Sequence, residues 1–482
     1  GRLAIVANSE LAYKFALEDF FEHYFDGNAL TVTDGMLDGK TYTLADYEAL
    51  FTMPRGDGID ENALVNIAPL PDLGVAYEAG QGSYTYVKRD MEIGDFHNLR
   101  AELEARGFDI ISPTAVCDAY IINTCTVTAE SDRKARQFIR RAISKNPDAV
   151  VIVTGCMAQT APDEVAAIES VDAVIGNSDK LSAARLADEL CQNKQNGGKT
   201  KISFSDINTA PFEDMTITKF DRTRAYVKIE DGCESRCTYC IIPNARGKIR
   251  SKPFDEVIRE VEILTKNGCR EVVLTGIETA SYGRDLGGVD LADLLCRVDK
   301  IEGIGRVRLG SLDPSLIKED FVKRIAPLKS LAPHFHLSLQ SGSSKVLADM
   351  KRKYNADMAM RAIELLRKYI PRSQFTTDII VGFPGETEED FLELCEFTKE
   401  ARFDRLGVFT YSREEDTPAY DFPDQIDEQV KQDRYDIIMK EQMLIGAELN
   451  ERKIGTVVRV LCEDYDPVSE TCYGRSDADA PD

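Results

Sequence analysis

Cys233, Cys237 and Cys240 fall within Glu230-Asp-Gly-Cys-Glu-Ser-Arg-Cys-Thr-Tyr-Cys-Ile-Ile-Pro243. Three thiolates at C-x-x-x-C-x-x-C spacing on one tight loop can hold three irons of a cubane iron–sulfur cluster and leave the fourth iron without a protein ligand. An open iron is a place where a small molecule can bind and react. Zinc is the competing reading, but structural zinc asks for four ligands in paired knuckles. The next cysteine, Cys269, ends a predicted helix and has no knuckle of its own.

The loop follows a predicted strand, Ala225 to Ile229, which puts it at a strand end, where α/β folds place their chemistry. Further strands are predicted at Glu271–Leu274, Arg306–Leu309, His336–Leu339, Phe375–Val381 and Leu406–Thr410. Helices fill the gaps, among them Asp255 to Lys266, Met358 to Tyr369 and Glu388 to Ala401. Six β–α units in a row imply an incomplete barrel over residues 221–425. Upstream, over 89–190, predicted strands at Ala119–Asn123, Ala149–Val153 and Ala173–Ile175 alternate with helices, as parallel βαβ units do. Residues 191–220 are polar, contain Asn196-Gly-Gly198 and read as a linker. A long charged helix is predicted at 426–453, and in 454–482 the stretches Thr456–Val460 and Thr471–Gly474 alternate like the first strands of a small β domain.

The 482 residues are 43% hydrophobic and 29% charged, enough apolar material for packed cores. No apolar run spans a bilayer, and a soluble, cytoplasmic monomer is expected. Twelve cysteines are too sparse for a disulfide scaffold. A net charge of −24 argues against bulk electrostatic binding of nucleic acid, though not against a local basic surface. Such a surface is expected on the helix from Ser131 to Lys145. Ala135, Phe138, Ile139, Ala142 and Ile143 form its apolar stripe; Arg133, Lys134, Arg136, Arg140, Arg141 and Lys145 cover the rest. Arg246, Lys248, Arg250 and Lys252 extend the basic track toward the cysteine loop. A plain solvated helix face is the alternative.

Residues 1–88 are an unassigned acidic segment; up to residue 90 there are fifteen Asp or Glu against six Lys or Arg. Leu11 to Tyr24 is predicted helical, Thr31 to Tyr42 is predicted as turns between short strands, and Gly80, Gly82 and Ser83 mark loops. The chain begins with Gly1 rather than Met, as a fragment or a processed product would.

Several motifs together resemble the radical S-adenosylmethionine (SAM) methylthiotransferases over about residues 90–482. They are the cysteine loop with Tyr239 before its last cysteine, Ile121-Ile-Asn-Thr-Cys-Thr-Val-Thr128, and Val153-Thr-Gly-Cys-Met-Ala-Gln159. The resemblance implies an α/β protein with an N-terminal methylthiotransferase βαβ domain, a radical SAM partial (β/α)6 barrel and the start of a C-terminal TRAM-like β domain. It implies a 4Fe–4S cluster on Cys233, Cys237 and Cys240 whose open iron binds SAM, which one-electron reduction cleaves to a 5′-deoxyadenosyl radical. Tyr239, Gly276, Gln340 and Asp378 are the expected SAM-side contacts; for Asp378 a strand-end cap or ion-pair partner is the alternative. A second, auxiliary 4Fe–4S cluster would use Cys125 and Cys156, but its third cysteine is missing: the chain carries Lys88-Arg-Asp-Met-Glu-Ile-Gly94 there, with Arg89 near the expected position. Cys117 is the nearest spare thiol.

Within the family, Thr128-Ala-Glu-Ser-Asp-Arg-Lys-Ala-Arg136, Leu274-Thr-Gly-Ile277, Ser281-Tyr-Gly283 and Leu337-Ser-Leu-Gln-Ser-Gly342 resemble enzymes that thiomethylate N6-threonylcarbamoyladenosine in tRNA. Ala401-Arg-Phe-Asp-Arg-Leu-Gly-Val-Phe-Thr-Tyr-Ser-Arg413 and Gly474-Arg-Ser-Asp-Ala-Asp-Ala-Pro481 are more similar to enzymes acting on a ribosomal-protein aspartate. The first set covers more of the barrel, so tRNA is the expected substrate. A low-potential electron donor such as a flavodoxin or ferredoxin, and a sulfur donor, are the expected partners. A non-catalytic metal- or cluster-bearing RNA-binding protein is the alternative from another class.

Overall fold

The computed structural model describes three short strands before residue 75. From Ser83 on it describes all but residues 88–98, 101, 112–115, 127, 194–200, 204–205, 214–215, 218–222, 467–470 and 480–482. Gly1–Gly74 and Val75–Asp482 are separate units. In the first, Phe25–Asp26, Ala29–Thr31 and Thr41–Thr43 pair antiparallel; the helix expected at Leu11 to Tyr24 lies outside the described residues.

The second unit opens with a parallel six-stranded sheet. Its strands are β1 (Ser83–Val87), β2 (Asp109–Ile111), β3 (Ala119–Thr124), β4 (Val150–Gly155), β5 (Ala173–Ile175) and β6 (Lys201–Ser203), in the order β2-β1-β3-β4-β5-β6. Helices α1 (Ala129–Lys145), α2 (Cys156–Thr160), α3 (Pro162–Ala166) and α4 (Ser182–Asn193) connect them. Every residue of β3 and β4 is buried, as a parallel sheet covered on both faces requires. Ile121 and Ile152 pack with Ala183, Ala184 and Ala187 of α4; Ile122, Val151 and Val153 pack with Ala135, Ile139 and Ala142 of α1. Thr128 caps α1 by accepting the Ser131 N–H at 3.1 Å. Two strands arise where loops were expected. Ser83 starts β1, whose Tyr84, Thr85, Tyr86 and Val87 suit a pleated strand. Lys201–Ser203, inside the polar linker, adds the sheet's last strand.

The barrel follows. β7 (Arg224–Asp231), β9 (Glu271–Gly276) and β10 (Arg306–Leu309) are parallel, with the short β8 (Arg250–Ser251) antiparallel to β7. β11 (His334–Gln340), β12 (Gln374–Val381) and β13 (Arg405–Thr410) form a second parallel group. Parallel bridges Val307–Leu331 and Leu312–Leu337 join the groups into one six-stranded arc, the expected incomplete barrel. The helices are α5 (Ile242–Arg246), α6 (Phe254–Lys266), α7 (Leu291–Val298), α8 (Glu319–Ile325), α9 (Ser344–Asp349), α10 (Ala356–Tyr369), α11 (Glu388–Ala401) and α12 (Glu428–Glu451). One face of the arc, with Val227, Leu274, Leu309, Leu337, Ile379 and Val408, packs in an apolar core under these helices. The other face lines a polar lumen. Among the described residues no helix is long and apolar enough to cross a membrane.

The lower end of the lumen is filled with charge. Glu271, fully buried, pairs with Arg308 at 2.7 Å and Arg306 at 3.1 Å. Both arginines reach the C-terminal hairpin of β14 (Val460–Asp466) and β15 (Thr471–Ser476), donating to the Ser476 carbonyl at 2.9 and 3.2 Å. The strand expected from Thr456 begins only at Val460. The Thr456 N–H instead bonds the Lys453 carbonyl at 3.0 Å, extending the turns that end α12. Removing one partner of a buried pair leaves an uncompensated charge, a loss of about 3–5 kcal/mol. Glu271→Gln should therefore lower the thermal unfolding midpoint of the full chain strongly, whereas Glu319→Gln, in an exposed pair with Lys323, should leave it in place.

Candidate metal centre

Asp231, the last residue of β7, decides how the chain leaves the strand. Its buried carboxylate meets Lys228 at 3.0 Å, Arg250 at 3.3 Å and Arg246 at 3.5 Å, and accepts the Gly232 N–H at 2.8 Å. Burial disfavours its charge, but these cations, with Lys180 of the first sheet's domain, outweigh burial and hold it far below the usual carboxylate range. One anion thus ties the strand before the cysteine loop to the helix and strand after it. Gly232 turns the chain at φ +90°, where a Cβ would run into the Lys248 carbonyl.

This clamp corrects the expected basic track. Arg246 and Arg250 are buried against Asp231 and Lys252 against Glu260, at 2.6 Å, so none of them faces solvent; Lys248 alone of the four is exposed. On α1, Arg133 pairs with Glu130 and Arg136 with Glu164, each at 2.6 Å, so part of the patch neutralises itself, while Arg140 is exposed.

The cysteine loop is held from several sides. The Cys233 N–H bonds the Gly247 carbonyl at 3.0 Å, and the Thr238 N–H and hydroxyl bond the carbonyls of Met350 and Asp349 at 3.2 and 2.9 Å. Tyr239 packs on Val346, Met350, Phe383, Tyr411 and Ala419, so its ring anchors the loop. N–H groups aim at two of the sulfurs. Ser235 N donates to Cys233 Sγ at 3.4 Å and Arg352 Nη1 to Cys237 Sγ at 3.3 Å. The Cys233 thiol donates to Glu278 at 3.2 Å. Burial, reinforced by Glu278, pushes Cys233 up to about 12, and burial pushes Cys240 up to about 11.

Three sulfurs on one loop, two with N–H donors, fit a cluster whose ligands must be thiolates supported by hydrogen bonds to sulfur. Among the described residues no three His, Cys, Asp or Glu side chains are gathered closely enough to hold one metal ion. A cubane asks for a wider set, since each sulfur meets its own iron rather than sharing bonds of ~2.3 Å to a single zinc.

The remaining expected residues stand at the lumen. A Cβ on Gly276 would lie 2.8 Å from both the carbonyl and carboxylate oxygens of Glu230, and that buried carboxylate accepts the Glu278 N–H at 2.8 Å. Gln340 ends β11 at φ +74°. Asp378 points inward, 3.5 Å from His336, whose Nδ1 is 3.0 Å from Thr376 Oγ1. Beside it Phe409 is 57% exposed on the lumen face. A Cβ on Gly407 would lie 2.8 Å from Asp378 Oδ1 and 3.5 Å from the Phe409 ring, so the glycine lets carboxylate and ring converge. Glu278, Arg352 and Phe409 escape motif reading, although an apolar residue on the inward phase of β13 is a signal that alternation could have found.

Cys125 and Cys156 follow β3 and β4, whose last residues pair Thr124 with Gly155, so both thiols stand at adjacent strand ends. β1 lies on the other flank of β3, with Val87 opposite Ile122; Arg89 lies outside the described residues. Cys117 precedes β3 and so lies at the strand's opposite end, ~20 Å away over six residues. It cannot supply the third thiol. Asn177 Nδ2 is 3.6 Å from Cys156 Sγ and donates to the Ala245 carbonyl of α5 at 2.9 Å, joining this pair to the helix after the cysteine loop.

Residues 227–398 match the Radical SAM superfamily and residues 90–176 the Uncharacterized protein family UPF0004. The chain is 43% identical to the threonylcarbamoyladenosine tRNA methylthiotransferase MtaB of Bacillus subtilis (strain 168), over 66% of this chain and 70% of that protein. It is 36% identical to MtaB of Aquifex aeolicus (strain VF5), over 75% and 88%. It is also 36% identical to the ribosomal protein uS12 methylthiotransferase RimO of Clostridioides difficile (strain 630), over 78% and 85%. The radical SAM methyltransferase TsrM of Kitasatospora setae, solved with cobalamin and a [4Fe-4S] cluster, shares the fold at a TM-score of 0.50 and 14% identity, over 71% of this chain and 74% of that chain.

The raised thiols give a direct test. A pKa of about 12 leaves Cys233 roughly a thousandfold less thiolate than a thiol of 9 when both titrate above the working pH. In the metal-free protein at pH 7.5, iodoacetamide should label Cys233 and Cys240 slowly by peptide mass spectrometry. Glu278→Gln removes a neighbouring negative charge, lowers the Cys233 pKa and should speed its labelling; equal rates would show that Glu278 does not govern this thiol.

Proposed function

The chain belongs to the radical SAM methylthiotransferases, and from that premise we propose that it adds a methylthio group to N6-threonylcarbamoyladenosine beside the tRNA anticodon. Cys233, Cys237 and Cys240 would hold the 4Fe–4S cluster, with Tyr239 anchoring their loop and Gly276 and Gln340 on the SAM side, while Asp378, expected there too, would face the substrate from beside Phe409. Cluster and SAM together, when bound, supply the radical and the methyl group. Cys125 and Cys156 would be the auxiliary cluster's ligands. Arg133, Arg136, Arg140 and Lys248 would meet RNA phosphates. A flavodoxin- or ferredoxin-like donor supplies the electron, a separate donor the sulfur, and the protein works as a cytoplasmic monomer.

The observation that carries the substrate choice is the lumen wall of Phe409, Gly407 and Asp378. An exposed aromatic ring offers a face on which a purine stacks, and the carboxylate beside it accepts hydrogen bonds from base N–H groups. A substrate aspartate would meet Asp378 as a like charge. The wall therefore favours a base over the ribosomal-protein aspartate, even though Gly407 and Phe409 belong to the Ala401–Arg413 stretch that resembles the aspartate-modifying enzymes.

Nucleoside mass spectrometry of tRNA from cells with and without the gene tests this: the methylthio form of threonylcarbamoyladenosine should vanish with the gene, and its persistence would overturn the assignment. Base–aromatic stacking contributes about 1–3 kcal/mol. Phe409→Ala should therefore lower kcat/KM for tRNA by roughly 5- to 150-fold, while reductive cleavage of SAM without tRNA stays at the wild-type rate.

A further inference from the structure

Arg352 touches one of the three loop sulfurs through a terminal nitrogen that its ion pair with Asp313 does not use. It follows Lys351, whose φ of +56° turns the chain back after α9. All three nitrogens of its guanidinium are engaged. Nη1 donates to Cys237 Sγ at 3.3 Å, Nη2 to Asp313 Oδ2 at 3.1 Å and the Ser338 carbonyl at 2.8 Å, and Nε to the Tyr354 hydroxyl at 3.1 Å. Tyr354 is itself fixed, its single O–H lying within reach of the carbonyls of Ser338 and Leu339, at 2.6 and 2.7 Å. Arginine–carboxylate pairs are frequently bidentate. Asp313 receives one here, and the other terminal nitrogen aims at sulfur. The cysteine loop is stapled to the same turn through Thr238 and the carbonyls of Asp349 and Met350, so the contact is built into the loop's own support.

We propose that Arg352 is a positioning residue that sets the reduction potential of the cluster on Cys233, Cys237 and Cys240, an inference that rests on reading that loop as a cluster site. Reduction adds one electron, drawn from the low-potential donor, and so one negative charge. A permanent cation bonded to a ligating sulfur favours the more negative state and raises the potential. Buried Asp313, against the same guanidinium, takes back part of that field. On the far side Lys353 stands 3.4 Å from Glu278, the carboxylate against Cys233, so consecutive residues 352 and 353 set the charge around two of the three ligands.

The test is EPR-monitored potentiometric titration of the anaerobically reconstituted full chain, in a Cys125→Ala/Cys156→Ala background so that one cluster is titrated, with iron and sulfide counted for every variant. Arg352→Gln should shift the midpoint to more negative potential, Asp313→Asn to more positive, and Arg352→Lys should fall between Arg352→Gln and wild type. Arg352→Gln loaded to the wild-type iron content with an unchanged midpoint overturns the proposal. Should Arg352→Gln fail to load, Asp313→Asn decides, and an unchanged or more negative midpoint there overturns it. If the protein with Arg352 and Asp313 in place assembles no four-iron cluster, the reading of the site fails and takes the inference with it.

Discussion

The buried charge of Asp231 is the constraint on which the metal centre depends. A cysteine loop can present three sulfurs in a fixed arrangement only if both of its ends are fixed. Asp231 does this by meeting Lys228 before the loop and Arg246 and Arg250 after it. Buried ion pairs add little net stability compared with well-packed apolar groups, because desolvation offsets the Coulomb attraction. What this cluster of charges provides is a unique geometry, since any other path for the chain leaves a carboxylate or a cation buried alone. Lys180 and Asn177 extend the clamp to the N-terminal sheet, so the two cysteine sites are positioned against each other through α5.

The lumen follows the same rule, with charge compensated level by level. Glu271 answers Arg306 and Arg308 at the bottom. Above it, burial and then Arg308 push His334 down to about 3, so its ring stays neutral and adds no cation to that layer. Its Nε2 lies 3.1 Å from Thr376 Oγ1, which also meets His336, and His336 reaches Asp378. The charged and polar groups are linked from that end upward, although Arg306 Nε and His334 Nδ1 stay buried without a hydrogen bond, until Asp378, half-exposed, and the bare ring of Phe409 are reached near the open end. Those two groups have surface left for a ligand to use.

The periodicities that made the barrel legible are strong because each strand has one apolar face pressed on helices. All six barrel strands were expected within a few residues, and α11 at its observed limits. The cysteine loop was legible because ligand spacing is local. Charge was not. Arg246 and Arg250 look the same in sequence whether they face phosphate or a buried carboxylate, and only the fold shows that Asp231 takes them. Glu278 and Arg352 were missed for a related reason: they lie 45 and 115 residues from the sulfurs they touch, and no local spacing encodes such a contact. β1 was missed because its five residues follow Gly80 and Gly82, which read as loop.

The two sulfur sites differ in what fixes them. At the loop, the three sulfurs, their N–H donors and the neighbouring charges all belong to the described residues and form one connected set. At the N-terminal sheet, three neighbouring strand ends, those of β1, β3 and β4, are where three ligands would stand, and two of them carry Cys125 and Cys156. The third strand is continued by Lys88-Arg89-Asp90, and Cys117 is a strand's length away. A cluster with two thiolates from this chain has more iron sites left to exogenous ligands than one with three, and holds its metal less tightly for the same reason that a zinc site with ligands removed does. Radical generation and sulfur supply are thus separable in this chain. On the proposed assignment the first would draw on the three loop cysteines held around Asp231, while the second would rest on a pair of thiols and on Asn177, which ties that pair to the first.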